Sequence, residues 1–80
     1  MREIEIGKVY RHFKGKYYIV ENIAFDCETQ EELVIYRALY DDCKLWIRNK
    51  KVFLSEVGER PNNDNITNQK YRFERSEIER

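Results

Sequence analysis

The sequence predicts a mainly β domain in which about five short strands wrap into a small, strongly bent barrel. Three observations carry that expectation. Aromatic residues are dense, with six Tyr, four Phe and one Trp in 80 residues, and aromatic and β-branched side chains suit pleated, half-buried surfaces. Apolar runs of strand length recur between closely spaced polar or Gly-containing breaks, in a chain too short for a two-sheet sandwich. A chain of this size also holds a single core with little margin, and closing the sheet hides edges that otherwise invite aggregation.

After Gly7, Val9 to Phe13 reads as a first strand, and Lys14-Gly15-Lys16 as a tight turn. In the next run Tyr18, Val20, Asn22 and Ala24 share one face under strict alternation. Tyr17, Ile19, Ile23 and Phe25 share the other, interrupted by Glu21. Apolar groups on both faces suit a central strand. The acidic run "DCETQEE" is a hairpin connection to "LVIYRALY", whose Val34, Tyr36, Ala38 and Tyr40 lie opposite Leu33, Ile35, Arg37 and Leu39. Asp41-Asp42 is a turn signal, "KLWIRNK" a further strand, and "VFLSEV" either a strand or a single helical turn. The stretch "GERPNNDNITN" holds the only Pro and four Asn, which marks a surface loop. "QKYRF" is a last strand and "ERSEIER" a flexible charged tail. The expected organisation is one domain, with a barrel core over 1–57, a surface loop over 58–68, and the last strand and tail over 69–80.

Fifteen Lys and Arg balance fifteen Asp and Glu, so no large basic excess argues for nucleic acid and any such case must be local. No apolar run approaches the roughly 20 residues of a membrane span. "MREIEIGK" also lacks the apolar segment of a secretory signal, so a cytoplasmic chain without a membrane partner is expected. In that compartment Cys27 and Cys43 are expected as two small, partly buried free thiols.

The local charge pattern is more informative. Lys8, Arg11, Lys14 and Lys16 fall within residues 8 to 16, and Lys44, Arg48, Lys50 and Lys51 within 44 to 51, with no carboxylate in either stretch. Brought together, they form a patch able to hold phosphate or another anion. The competing expectation is that they pair with acidic loops at the surface, each pair contributing about 0–1 kcal/mol. Arg37 and Arg48 stand inside apolar strands, where an unpaired guanidinium is costly. Each therefore needs a specific partner: Glu21, Glu32 or an anionic ligand.

Tyr36 and Tyr40 can bury their rings and still present hydroxyls, whereas Trp46 is expected in the core or packed on a hairpin. His12, the only histidine, is read first as a structural partner within the sheet and second as a hydrogen-bond donor to a ligand. His12, Cys27 and Cys43 are metal-ligating types, but no pair falls at CxxC or HxxxH spacing, so no metal and no other cofactor is expected. They form no nucleophile and base pattern either, which places a non-enzymatic role ahead of catalysis.

In order and spacing, "YRHFKG", "ETQEELVIYRALY", "LWIR" and "FLSEV" resemble the domain-of-unknown-function-1653 family, small bacterial proteins, over roughly residues 7 to 57. The motif positions are Tyr10, Arg11, His12 and Gly15, then Glu28, Thr29, Glu32, Tyr36 and Tyr40, then Trp46, Arg48 and Phe53. The resemblance implies an SH3-like barrel and implies no activity. The chain departs from the family pattern at Asp26, Asp41 and Asn49, where His, Gly and Pro are common. Residue types and fold analogy together point to a non-enzymatic binding module. Its face of Arg11, His12, Tyr36, Arg37, Tyr40 and Arg48 would hold nucleic acid or another anionic, planar ligand. The alternative is a peptide-binding adaptor or a self-associating domain.

Overall fold

Residues 3–59 and 64–76 are described by the computed structural model. The elements are β1 (Val9–His12), β2 (Tyr17–Phe25), β3 (Glu32–Ala38), β4 (Leu45–Asn49), α1 (Lys50–Phe53) and β5 (Phe73–Arg75). All ladders are antiparallel, in the order β4-β3-β2-β1-β5.

Local chemistry sets each connection. Between β1 and β2, Gly15 adopts φ 104°, and a Cβ there would sit 3.1 Å from Ile66 Cδ1. The positive φ is what calls for glycine, since the exposed Ile66 can shift to make room. In the β2–β3 connection, Asp26 Oδ1 accepts from the amides of Glu28 and Thr29 at 2.8 and 3.0 Å. Those amides, Thr29 first, hold the Asp26 carboxyl below its usual range. Before β4, Asp41 and Cys43 both take left-handed conformations, with φ of 51° and 53°. That conformation explains why glycine suits the position of Asp41. Asn49 ends β4 and starts α1, its side chain accepting from the amides of Lys51 and Val52.

The register of β2 corrects the strict alternation expected from the sequence. Val20 opposes Tyr36 but Asn22 opposes Ile35, so Glu21 is an extra residue in a β-bulge. The bulge carries Ile23 to the face of Val34 and Tyr36 and turns Asn22 to the other side, a gain in apolar burial that simple alternation forgoes. Glu21 itself reaches Arg37.

Four strand spacings of about 4.8 Å would hold β4 and β5 roughly 19 Å apart in a flat sheet. Instead the Arg48 guanidinium of β4 lies 5.8 Å from the Phe73 ring centroid of β5, and the Tyr36 ring of β3 lies 5.4 Å from it. The sheet therefore curls tightly around a core of Tyr10, Val20, Val34, Tyr36, Phe53 and Phe73. Phe53 and Phe73 stack at 4.0 Å and 4°, and the rings of Tyr10 and Tyr36 meet Phe53 edge-on at 5.5 and 5.4 Å. After α1, residues 55–57 run beside 70–72 through a Glu56–Tyr71 bridge and the bonds Val57 N to Lys70 O and Arg72 N to Ser55 O, both 2.9 Å.

The barrel closure expected from the sequence is absent: among the described residues no ladder joins β4 to β5. Side chains and α1 fill the gap instead. "VFLSEV" resolves into the end of a helical turn that begins at Lys50, and the last strand is displaced from "QKYRF" onto Phe73–Arg75. Cys27 and Cys43 are both exposed, contrary to the partly buried expectation, because both sit in turns. The expected positions 60–63 of the loop and 77–80 of the tail lie outside the described residues. Among the described residues, no helix is long and apolar enough to cross a membrane.

Replacing Phe53 with Ala removes one member of the ring stack and should cost about 3–5 kcal/mol in chemical denaturation, a large share of a small domain's stability. A loss below about 1 kcal/mol would show that the stack does not hold the curled sheet.

Candidate functional site

The curl gives the sheet an inner face. Alternation along the strands places His12 of β1, Tyr18 of β2, Tyr36 of β3 and Trp46 with Arg48 of β4 on that face. With Tyr40 after β3, Phe13 and Lys14 in the β1–β2 turn and Arg72 before β5, they line an open hollow of about 350 Å³.

Its floor is a connected set of aromatic and polar groups. The hydroxyls of Tyr18 and Tyr40 share a 2.6 Å hydrogen bond, and their rings meet edge-on at 5.5 Å. Burial, reinforced by that hydrogen bond, pushes the Tyr18 phenol well above the ordinary tyrosine range. Arg48 donates from Nε to the Tyr36 hydroxyl at 3.1 Å while its guanidinium lies over Phe73. The half-buried His12 ring packs 4.4 Å from Phe13 and 4.9 Å from Phe73. Its Nδ1 accepts from the Lys14 amide at 3.1 Å, so the neutral imidazole carries its proton on Nε2.

The walls are cationic. The Arg72 guanidinium lies 5.7 Å from the Phe13 ring centroid and Nε reaches Ser55 Oγ at 3.4 Å. Lys14 approaches the same ring at 5.9 Å, and Lys16 lies over Tyr40 at 5.1 Å. Lys14, Arg48 and Arg72 thus face the hollow, and no carboxylate is among its lining side chains.

Of the six residues suggested by the sequence, His12, Tyr36, Tyr40 and Arg48 come together here, while Arg11 and Arg37 do not. Each of those two arginines neighbours an inward residue in a strand and so points outward. Arg11 lies over Tyr17 at 5.3 Å and donates to Gly15 O at 3.4 Å. Arg37 bonds Glu21 Oε2 and Cys43 O, both at 3.0 Å, so its partner is one of the two carboxylates anticipated. The two basic stretches meet in the hollow through Lys14 and Arg48, whereas Lys50 turns to Glu32 at 3.4 Å.

Trp46 corrects another expectation. It is 47% exposed, because β4 is an edge strand with no further strand beside it among the described residues. Sequence reasoning also missed Tyr18 and Arg72 as site residues, and gave Lys14 only as a member of a basic stretch. Tyr18 was traceable from its alternation with Val20, which shares the face of Tyr36. Arg72 carried no comparable signal, since its place depends on the return path of the chain to β5. Among the described residues no three His, Cys, Asp or Glu side chains gather as a metal site.

The pattern of the family described as Protein of unknown function (DUF1653) matches residues 8–75, and the chain belongs to that family. The match reaches β5, so Arg72 and Phe73 fall within it. No curated protein and no solved structure matches the chain.

A phenol whose folded value is raised adds stability below the unfolded value near pH 10 and loses it as pH rises above that. Alkaline absorbance titration should accordingly show one tyrosine that resists ionisation beyond the ordinary range and vanishes in Tyr18→Phe. If that variant removes an ordinary tyrosine instead, the buried hydroxyl pair does not form.

Proposed function

We propose that the chain is a non-enzymatic binding module that takes a planar anionic ligand, of the nucleic-acid class, into the hollow. The observation that carries this reading is the lining itself: three cations among aromatic rings, with no carboxylate. Arginine and lysine recognise phosphate through charge-assisted hydrogen bonds. The half-exposed Trp46 offers a ring face on which a base stacks, a contribution of about 1–3 kcal/mol per base. Zero net charge does not oppose this, since Glu21, Glu32 and Glu5 pair with Arg37, Lys50 and Arg75, none of which lines the hollow, while Asp64 stands 3.8 Å from Lys14 of the lining. A catalytic role has less support, because neither a carboxylate nor a thiol stands beside His12 in the lining. In fold terms we read the strand order, with α1 leading towards β5 beside β1, as an open SH3-like arrangement.

A second reading, strand-edge association with a peptide or another copy, draws on Leu45 and Ile47. These are 52% and 61% exposed on edge strand β4. It predicts binding with little salt dependence, which separates it from phosphate recognition.

Trp46 is a reporter within the hollow, so its fluorescence can be titrated with mixed-sequence RNA and single-stranded DNA at low and then physiological salt. A saturable, salt-sensitive change is expected. Arg48→Ala and Arg72→Ala should each weaken it by about 1.5–3 kcal/mol, whereas the outlying Lys51→Ala should shift affinity by no more than about twofold. Unchanged binding by the Arg48 and Arg72 double variant would sink the proposal.

A further inference from the structure

We infer that the hollow receives a single terminal nucleotide unit, one ring with one phosphate, and not the interior of a strand. This rests on the reading of the hollow as a site for a planar anion. A volume of about 350 Å³ lies near the small end of ligand pockets, which run from about 300 to 1,000 Å³. That suits one such unit.

The borders matter more than the volume. Beside Lys14, Asp64 Oδ2 stands 3.8 Å from Nζ. Directly after Tyr40 come the exposed Asp41 and Asp42. A strand threaded across the Lys14 or the Tyr40 side of the hollow would carry its next phosphates past one of these carboxylates, and like charges repel. The open β4 edge with Trp46 carries no carboxylate in Leu45–Asn49, and there the basic stretch also supplies the exposed Lys44. A favourable mouth at that edge admits an end. Inside, the Tyr36 hydroxyl accepts from Arg48 and keeps its own proton to donate, so it joins the cations in serving an acceptor-rich terminal phosphate.

The shared chemistry is a nucleoside monophosphate, either free or at the end of a strand. Binding is measured for nucleoside 5′- and 3′-monophosphates, the unphosphorylated nucleoside, inorganic phosphate, linear single strands with and without a terminal phosphate, and a circular single strand. The inference expects the terminal phosphate to improve binding of the same linear strand by at least about tenfold. It also expects the circular strand to bind no better than an unphosphorylated one. Tighter binding of the free monophosphate than of the strand end identifies the free molecule as the ligand, and the reverse order identifies the chain end. The Lys14→Ala, Arg72→Ala double variant, checked for folding by thermal denaturation, should lose the preference for a terminal phosphate.

Circular DNA binding as tightly as the phosphorylated linear strand would overturn the inference while leaving the planar-anion reading standing. So would affinity that rises with length regardless of the end, or inorganic phosphate matching the monophosphate. No binding by any probe would remove that reading and this inference with it.

Discussion

Phe53 and Phe73 lie face to face at 4.0 Å, joining the turn that follows β4 to the strand at the opposite edge of the sheet. A five-stranded sheet would otherwise leave those edges far apart. The stack draws them together, and Tyr10, Tyr36 and Tyr18 add edge-on contacts around it. The preference of aromatic pairs for such arrangements adds about 0.5–1.5 kcal/mol each beyond the area buried. Because the core is built from rings, its margin is polar as well as apolar, and the hydroxyls of Tyr18 and Tyr36 reach the hollow from within it.

The curl also organises charge. On the outer face the bulge at Glu21 presents a carboxylate to Arg37, which in turn holds the carbonyl of Cys43 in the turn that follows Tyr40. Exposed pairs of this kind contribute little stability. The consequence is spatial, since Glu21 is engaged on the far side of the sheet while Lys14, Arg48 and Arg72 face the hollow. A composition with no net charge thereby yields one cationic, aromatic concavity.

Strand positions were legible in the sequence because alternation and turn residues are local signals. The same alternation correctly grouped Tyr36 with Tyr40 and separated His12 from Arg11. It failed at Asn22 and Ala24, where an inserted residue resets the phase and only the cross-strand register shows it. Barrel closure and the exposure of Trp46 were illegible for a common reason: both depend on which strand ends at the edge, a global property of strand order. Arg72 was hidden for a related reason, because nothing near it in sequence shows that the chain returns beside residues 55–57.

The most direct test of this account is an NMR measurement of nuclear Overhauser contacts between the Arg48 side chain and the Phe73 ring. These groups lie on strands at opposite edges of the sheet yet only 5.8 Å apart. The account predicts clear cross-peaks between them, with Phe73 also contacting Phe53. Cross-peaks confined to neighbouring strands would mean a sheet too flat to bring the edges together. The hollow and the reading built on it would then fail together.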